Sequence, residues 1–303
     1  MNIKRNKLLF PIVWCTRFLG RNFPDLLVRI RYFVRFRKRL NLKEPQTLNE
    51  KILYLSLCTD TSAWTLLADK YKVREYVEEC GLANILVPLL GHWQCAEKIN
   101  FDTLPNSFVI KTTHGSGDIL IVKDKTTINK GDVVKRMNNA VNTRYGELEG
   151  GRHYMRIPPA IIAEHLLIND EVSKMYSTSI IDYKIWCFNG KAHFIWTCCN
   201  RDCSGTDVMT YDTKWNPHPE YSLFNTHYRK GNIIPMPENF SEMIKIAEKL
   251  SAPFPVVRVD LYNIAGHIYF GELTFTSLGG LMNFYSDDFQ LMTGRMIDLK
   301  YKG

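Results

Sequence analysis

Two hairpin patterns in the second half of the chain restrict its fold more than any other feature. Residues 178–199, TSIIDYKIWCFNGKAHFIWTCC, consist of two apolar runs separated by Asn189-Gly190. Residues 254–276, FPVVRVDLYNIAGHIYFGELTFT, have the same form and turn near Ala265-Gly266. A small dipeptide such as Asn-Gly between two apolar runs is a strong signal for a tight hairpin. Both segments therefore predict pairs of antiparallel strands.

Helical patterns and further strands mix with these hairpins. Thr47 followed by Glu50 forms a capping-box pattern that predicts a helix start. Residues 61–81 predict a second helix that ends at Gly81, and residues 241–250 predict a third, capped by Ser241. Shorter apolar runs predict strands in ILVPLLG, FVIKTT, DILIVKD and PPAIIAEHLL. Helices and strands follow one another without strict alternation and without internal repeats, which predicts an α+β fold.

Composition narrows the class of protein. The 303 residues are 45% hydrophobic and 23% charged, as expected for one or two globular domains with a real core. No apolar run approaches the roughly 20 residues that span a bilayer. The amino-terminal segment KLLFPIVW contains Pro11 and lacks a small-residue cleavage site, so we expect no signal peptide. The tightest cysteine cluster, CCNRDC, lacks zinc-site spacing, and free thiols in a cytoplasmic protein are expected.

The positive charge is concentrated at the amino terminus. Residues 1–44 contain twelve Lys and Arg against Asp25 and Glu44, a net charge of +10, while the whole chain carries +8 and the remainder therefore −2. Within this basic arm, Leu26, Ile30, Phe33 and Val34 share one helical face among arginines. Two interpretations stay open: a helix on an anionic membrane surface, or a helix packed on the body with a solvated basic face. No nucleic-acid module accompanies the charge, and no nucleic-acid partner is expected.

The final hairpin brings carboxylates together. Alternate residues of a strand share a face, so a turn centred on Gly266 places Asp260 opposite Glu272 and Arg258 opposite Thr274. Opposed residues have Cβ atoms about 5 Å apart, and two carboxylates at that distance repel each other. A hard cation such as Mg²⁺ would relieve the repulsion. The alternative is an exposed polar face on which Arg258 neutralises the acids.

A glycine loop follows a strand in the first half of the chain. FVIKTTHGSGD, residues 108–118, runs from an apolar strand through Lys111 into His114, Gly115, Ser116 and Gly117. Backbone N–H groups of such a turn can bind an anion, and an adjacent lysine adds charge. The spacing is neither a P-loop nor a dinucleotide fingerprint. A phosphate loop and an ordinary hairpin turn both remain open on these residues alone.

Several motifs in order resemble one family. LADKYKVREYV, FVIKTTHGSGD, IIAEHL, DYKIWCFNGK and FPVVRVDLY with YFGELTF closely resemble the TupA-like ATP-grasp family, which is linked to bacterial surface-polysaccharide and teichuronopeptide biosynthesis. The resemblance runs from about Arg35 to about Leu299. It implies an ATP-grasp fold, in which two α+β subdomains clasp ATP, preceded here by the basic helical arm. The implied domains are an arm at 1–44, a helical region at 45–105, a small subdomain at 106–170 and a carboxy-terminal subdomain at 171–303.

The resemblance also implies roles for individual residues. ATP phosphates would be held by Lys70, by Lys111 and by the glycine loop of His114, Gly115, Ser116 and Gly117. The adenine ring would lie beside Glu164 and the backbone of His165, Leu166 and Leu167, with Glu171 either binding ribose or serving as a plain loop acid. Lys184 and Arg258 would neutralise the transferred phosphoryl group, and Mg²⁺ would bind Asp260 and Glu272. Thr274 stands where the family pattern commonly has a metal-binding Asn, which puts that ligand in doubt.

The implied function is an ATP-dependent carboxylate–amine ligase that works through an acyl phosphate, with ATP and Mg²⁺ as cofactors. Its partners would be a small amino donor and a carboxylate-bearing sugar or polysaccharide precursor, such as one for capsule, O-antigen or teichuronopeptide. The basic arm would place it peripherally on the inner face of the plasma membrane. Two alternatives stay open. One is a glycosyltransferase of the same kind of pathway. The other is a non-catalytic ATP-grasp-like binding protein, which the replacement of the usual metal-binding Asn by Thr274 would be consistent with.

Overall fold

The computed structural model describes residues 9–303, and the basic residues that precede residue 9 lie outside the described residues. Helices and strands mix as predicted, so the α+β class is confirmed. The helices are α1 Leu9–Asn22, α2 Pro24–Phe36, α3 Leu48–Cys58, α4 Ser62–Leu67, α5 Val73–Glu79, α6 Lys130–Val141, α7 Arg152–Met155, α8 Glu171–Lys174, α9 Phe240–Ser251 and α10 Asp287–Met296. The strands are β1 Leu89–Trp93, β2 Phe108–Thr112, β3 Ile119–Val122, β4 Ile161–His165, β5 Asp182–Phe188, β6 Lys191–Cys199, β7 Thr206–Asp212, β8 Tyr228–Lys230, β9 Val256–Ile264 and β10 His267–Thr274.

The chain forms two compact units. Among the described residues, the first, unit 1, comprises 9–42, 53–71 and 89–166. The second, unit 2, comprises residues 43–52, 72–88 and 167–303. Each unit contains one sheet. The four-segment division of the sequence analysis stays a prediction.

Unit 1 is built on a four-stranded antiparallel sheet in the order β1-β4-β2-β3. One face of this sheet packs against α6, whose N-cap Asn129 accepts hydrogen bonds from the N–H groups of Gly131 and Asp132. The core between them contains Phe108, Ile110, Ile161, Ala163, Val133 and Met137. Because strand residues alternate between faces, Lys111 and Glu164 lie on the sheet face opposite to this core.

Unit 2 is built on a six-stranded sheet in the order β10-β9-β5-β6-β7-β8, antiparallel except for the β7–β8 pair. Helix α9 packs on β5, β6 and β9, and its buried residues recur at helical spacing: Met243, Ile246, Ala247 and Leu250. The Sγ of Cys187 lies 3.8 Å from the carbonyl oxygen of Ala247, which fixes the odd-numbered residues of β5 on the α9 face. The even-numbered residues of β5 therefore point to the other face of the sheet.

Both hairpins of the second half form where the sequence places them. Asn189 and Gly190 join β5 to β6 with φ of 49° and 72°, and Ala265 and Gly266 join β9 to β10 with φ of 50° and 78°. These left-handed values are those of a tight hairpin turn. A further irregularity occurs at Gly271, where a Cβ atom would come within 3.0 Å of the carbonyl oxygen of Asp260. The glycine therefore permits a bulge that the sequence analysis did not predict.

Three local predictions were wrong in detail. The single helix over residues 61–81 is two helices, α4 and α5, because Asp69 accepts a hydrogen bond from the N–H of Tyr71 (2.8 Å) and turns the chain between them. The first residue of ILVPLLG, Ile85, ends a short 3₁₀ turn, and β1 begins only after Pro88. The N-cap of α9 is Asn239 rather than Ser241. The capping box at Thr47 and Glu50 is confirmed, with reciprocal hydrogen bonds of 3.1 and 3.2 Å.

Within residues 9–303, no helix combines the length and apolar character needed to cross a bilayer. All eight cysteines are free thiols.

Candidate active site

The hairpin of β9 and β10 in unit 2 has the register that the sequence predicts. Asp260 is paired with Glu272 and Arg258 with Thr274, because the bulge at Gly271 shifts the register by one residue before the site. The guanidinium of Arg258 binds both oxygens of Asp260, with Nε–Oδ1 and Nη2–Oδ2 distances of 2.7 Å. Arg258 is buried, and Asp260 is only 1% exposed. A two-point contact of this kind is among the strongest charge-assisted hydrogen bonds.

A second cation reaches Asp260 from the neighbouring strand. Lys184 on β5 lies opposite Asp260 on β9, and its ammonium donates to Oδ2 of Asp260 and, at 2.7 Å, to Oδ2 of Asp182. Arg201 also contacts Oδ2 of Asp182, at 3.0 Å. Asp182 was missed by the sequence analysis, although it precedes Lys184 by two residues in a strand and therefore shares its face.

These residues form one charged group, which we call the Asp260 cluster. Its members are Asp182, Lys184, Arg201, Arg258, Asp260 and Glu272. Three carboxylates and three cations make the cluster electrically neutral as a set. Burial alone would lower the pKa of Lys184, but the carboxylates of Asp182 and Asp260 outweigh it and hold that pKa above its usual value. The pKa of Arg258 is raised in the same way, chiefly by Asp260 against the effect of burial.

Glu272 and Thr274 complete the polar face on β10. The Thr274 hydroxyl donates to Oε1 of Glu272 (3.1 Å) and accepts from Nη2 of Arg258 (3.1 Å). Nη2 of Arg258 lies 3.5 Å from Oε1 of Glu272, whose side chain is 43% exposed. Nη1 of Arg258 donates to the hydroxyl of Ser277, at 2.7 Å. The ion pairing of the predicted alternative, in which Arg258 neutralises the acids, is thus present, with Arg258 and Asp260 buried and Glu272 partly exposed.

The turn after β10 is held in an unusual backbone conformation. Leu278, Gly279 and Gly280 are consecutive residues with φ of 50°, 66° and 74°. The N–H of Gly279 donates to the carbonyl oxygen of Thr276 (2.9 Å), so this donor already has an acceptor within the turn. The left-handed Leu278 carries strain that a glycine at that position would avoid.

The donor set can be tested against Mg²⁺. Asp260 and Glu272 supply hard oxygen ligands, which suit the ion. Both oxygens of Asp260 already accept from cations, and the neutral cluster leaves no negative charge to offset a divalent ion. Among residues 9–303, no three acidic, His or Cys side chains converge into a ready cage. The residues therefore fit Mg²⁺ when phosphate oxygens accompany it, with Glu272 as the more exposed ligand.

In unit 1, two predicted nucleotide residues form an ion pair. Lys111 on β2 and Glu164 on β4 lie 2.6 Å apart on the sheet face away from the α6 core. Both side chains are largely buried. β4 ends at His165, and Leu166 and Leu167 follow it outside regular structure.

Lys70 contacts the glycine loop. Its backbone N–H donates to the carbonyl oxygen of Thr113 (3.1 Å), and its ammonium donates to the carbonyl oxygen of Gly115. The turn between α4 and α5 thus brings Lys70 to the loop, which a continuous helix would not have done. The loop is the tip of the β2–β3 hairpin, as predicted.

The two ends of the glycine loop differ. His114 is buried, with Nε2 2.9 Å from the carbonyl oxygen of Thr143, and a Cβ atom on Gly115 would lie 3.3 Å from the ring of Tyr145. Gly117 has φ of 90° and open space around it, and Ser116 is exposed. The loop is therefore anchored at His114 and open at Ser116 and Gly117.

A cavity of about 630 Å³ adjoins the anchored end of the loop. His114 forms part of its wall, together with four arginines: Arg21, Arg144, Arg152 and Arg156. Glu147 contacts Arg21 at 2.8 Å and Arg144 at 3.8 Å. The remaining excess of positive charge suits an anionic ligand.

Glu171 occupies an open position in unit 2. It begins α8, its side chain is 88% exposed, and it pairs with Lys174 at 2.5 Å. The neighbouring Asp170 is more tightly held, because it accepts from the N–H groups of Ser173 and Ala265, each at 2.8 Å. The structure thus ties α8 to the β9–β10 turn through Asp170, and Glu171 is not part of that contact.

The sequence model of one family covers most of the chain. The TupA-like ATP-grasp family matches residues 50–298, a range that includes every residue of the Asp260 cluster and the glycine loop. The chain belongs to the TupA-like ATP-grasp family. Membership confirms the suspected family and, with it, the ATP-grasp fold.

Solved structures with a similar fold are distant from this TupA-like protein. The L-amino acid ligase of Bacillus licheniformis has a TM-score of 0.49 and 14% identity, over 96% of this chain and 63% of that one. The D-alanine–D-alanine ligase of Bacillus anthracis has a TM-score of 0.46 and 14% identity, over 78% and 65%. The biotin carboxylase of Campylobacter jejuni has a TM-score of 0.44 and 13% identity, over 75% and 46%. The chain spans less than two thirds of each of these proteins. No curated protein matches it.

Proposed function

We propose that this TupA-like protein is an ATP-dependent carboxylate–amine ligase that works through an acyl phosphate. The observation that carries the proposal is the hairpin of β9 and β10, in which Asp260 faces Glu272 while Arg258 and Lys184 lie buried against Asp260. Such a site suits phosphates that bring a metal ion with them, and the proposal gives no Cys, Ser or His the role of a nucleophile. That arrangement suits phosphoryl transfer, which depends on positioning and charge neutralisation more than on protein nucleophiles.

The reaction proceeds in two steps. A substrate carboxylate oxygen attacks the γ-phosphorus of ATP, the bond from that phosphorus to the β–γ bridging oxygen breaks, and ADP leaves. The amine nitrogen then attacks the acyl carbon, the C–O bond to phosphate breaks, and inorganic phosphate and one proton are released. Arg258 and Lys184 lower the energy of the charge that develops on the transferred group. Mg²⁺, bound through Glu272 and Asp260, would supply additional charge neutralisation on the phosphates.

In this proposal the nucleotide is bound by residues between Lys70 and Glu171, as the family resemblance implies. Lys111 pairs with Glu164 on one face of the sheet, and Lys70 donates to the glycine loop; in this proposal both ammonium groups turn from these partners to the phosphates. The open end of the loop at Ser116 and Gly117 covers the phosphates. Glu164 and the backbone of His165 to Leu167 contact the adenine ring, and Glu171 contacts the ribose.

The second substrate is proposed to be an anionic sugar or polysaccharide precursor. Its carboxylate is the group that the ligase activates, and the arginine-walled cavity beside His114 supports an anionic substrate. The amino donor is a small molecule such as an amino acid. The family link to surface-polysaccharide biosynthesis favours a precursor of that class over a free peptide.

The test is a coupled measurement of ADP and phosphate release with Mg-ATP and a panel of uronic acids and amino acids. We expect release only when both a carboxylate and an amine are present. Asp260→Asn should abolish turnover, whereas Asp288→Asn, at an exposed position on α10, should retain it. Turnover of nucleotide-linked sugars in the absence of ATP would instead support a glycosyltransferase, and ATP binding without turnover by any pair would support a non-catalytic binding protein.

A further inference from the structure

The apolar face predicted for α2 is exposed. Its four large side chains are 43–57% exposed and belong to Leu26, Ile30, Phe33 and Val34. At 100° per residue they fall within an arc of about 100°. The helix instead packs on unit 1 through another face, where Leu27, Val28 and Tyr32 are buried. The packing therefore leaves the most apolar surface of α2 facing outward.

Helix α1 extends this surface with aromatic rings. Trp14 stacks on Phe18 with ring centroids 5.7 Å apart, and Phe18 lies 6.4 Å from Phe23, the residue that precedes α2. Ile12 is also exposed, at 61%. Eight of the 21 large apolar side chains that are exposed in residues 11–303 thus fall between residues 12 and 34. Single exposed apolar residues are ordinary, but a concentration of them on two adjacent helices indicates an interaction surface.

Positive charge surrounds the patch. Exposed basic residues lie on both helices and in the segment that follows them: Arg17, Arg21, Arg29, Arg35, Arg37, Lys38 and Arg39. Arg29 falls about 60° from Leu26 on the helix, just outside the apolar arc. Asp25 is the only acid between residues 9 and 43, and it pairs with Arg152 at 2.6 Å. Helices α1 and α2, which follow each other as a helical hairpin (the α1–α2 hairpin), therefore present apolar and cationic groups together.

We propose that the α1–α2 hairpin docks on the surface of an anionic lipid bilayer. Aromatic and branched apolar side chains beside arginines are the composition of helices that lie in the plane of a membrane interface. Each basic residue near an anionic membrane surface adds electrostatic attraction. A protein partner would need a row of acidic residues beside its apolar groove to attract the same arginines and lysines. An anionic bilayer is therefore the partner that can contact the apolar arc with its lipid chains and the surrounding basic residues with its headgroups.

The hairpin is attached firmly enough to orient the rest of unit 1. A Cβ atom on Gly20 would come within 1.7 Å of the carbonyl oxygen of Glu147, so α1 lies directly against that backbone. Arg31 donates to the carbonyl oxygen of Leu148 at 2.9 Å, and Arg21 binds Glu147. Docking of the hairpin would thus hold the 147–152 segment at a fixed distance from the lipid surface.

The experiment is co-sedimentation of the full chain with sucrose-loaded vesicles of phosphatidylcholine alone or mixed with phosphatidylglycerol. We expect binding to the mixed vesicles that weakens as salt is added. The aromatic variant Trp14→Ser/Phe18→Ser/Phe33→Ser should lose at least about tenfold in vesicle partitioning. The charge variant Arg17→Gln/Arg29→Gln should lose about tenfold on the mixed vesicles and bind phosphatidylcholine as the wild type does.

A matched control is Ile121→Ser/Met175→Ser/Ile233→Ser, which removes three exposed apolar side chains far along the chain from the hairpin. This variant should partition like the wild type, and circular dichroism should show that all three variants fold. The proposal is overturned if the wild type does not sediment with mixed vesicles, if the aromatic and control variants sediment equally, or if the patch instead drives self-association in gel filtration.

Discussion

Lys184 and Asp260 are paired across β5 and β9, and the ammonium group of Lys184 is shared between Asp260 and Asp182. Asp260 is also bound at both oxygens by Arg258. A buried carboxylate held by two cations has little free negative charge to offer a metal ion. Under the proposed function, a metal ion at this site would therefore arrive together with the phosphates of ATP.

Removal of the shared cation should destabilise unit 2. In Lys184→Met, Asp182 keeps only Arg201 as a cationic partner, and Asp260 keeps only Arg258. The two buried carboxylates thus lose the one counter-ion that they share. Loss of one partner from a buried ion pair costs about 3–5 kcal/mol, and we expect the free energy of unfolding in urea to fall by an amount in that range.

A second substitution separates charge from packing in that experiment. Lys184→Met/Asp182→Asn removes one negative charge with the positive one, and we expect it to recover about 2 kcal/mol of the lost stability. Asp182→Asn alone should be mildly destabilising, because Lys184 would still bind Asp260. A double variant as unstable as Lys184→Met would contradict the charge-sharing interpretation and attribute the loss to packing alone.

Mg²⁺ alone should bind this protein poorly. Because the Asp260 cluster is neutral, a bare divalent ion would add uncompensated charge, whereas the Mg-ATP complex brings its own negative charge. We expect no shift in melting temperature with Mg²⁺ and a clear increase with Mg-ATP. Glu272→Gln should reduce the Mg²⁺-dependent part of the ATP effect. A melting-temperature increase with Mg²⁺ alone, at millimolar concentration, would contradict this view of the cluster.

Sequence patterns predicted the register of the site better than its charge balance. The pairing of Asp260 with Glu272 follows from strand alternation and the turn at Gly266, although it depends on a bulge at Gly271 that no pattern indicated. The contact of Lys184 with Asp260 could not be predicted, because β5 and β9 are neighbours only through the order of the sheet, and 67 residues separate the end of β5 at Phe188 from the start of β9.

The first half of the chain shows the same limit. The β2–β3 hairpin and the strand with Glu164 were predicted, since each is a local apolar run. The break between α4 and α5 was missed, because an Asp69 side chain that bonds the next turn of backbone leaves no mark on helical periodicity. That break is what brings Lys70 to the glycine loop. The arm was predicted to have an apolar face, but only the packing of Leu27, Val28 and Tyr32 decided which face is covered.

Lys70 should control the order of the glycine loop. Its ammonium bonds to the carbonyl oxygen of Gly115, so Lys70→Met removes a support of the loop as well as a proposed phosphate ligand. We expect faster proteolysis between Gly115 and Asp118 without nucleotide and an ATP affinity weaker by about tenfold to a hundredfold. Lys123→Met, an exposed lysine just beyond β3 in the same unit, should change neither quantity. Equal effects of the two variants would argue against a specific role for Lys70.

His153 should make unit 1 sensitive to acid. Its ring is fully buried, lies 5.5 Å from Trp64 and 4.1 Å from Tyr154, and has no hydrogen-bond partner at either nitrogen in the described part of the chain. Burial lowers the pKa of His153 from its ordinary 6.5 to about 3. Between these values the unfolded chain binds a proton that the folded chain does not, so stability decreases as the pH falls below 6.5.

His153→Phe tests this directly, because phenylalanine keeps an aromatic ring and cannot be protonated. At about pH 7.5 we expect the variant to be as stable as the wild type or more stable by about 1 kcal/mol, since two unpartnered nitrogens are removed. At about pH 4.5 its advantage should increase by about 2–3 kcal/mol, because that pH lies about two pH units below the pKa of a histidine in the unfolded chain. The measurement is urea unfolding at both pH values, with the exposed His267→Phe as control. An advantage of His153→Phe that is the same at both pH values would show that His153 is protonated in the folded protein or has a partner there.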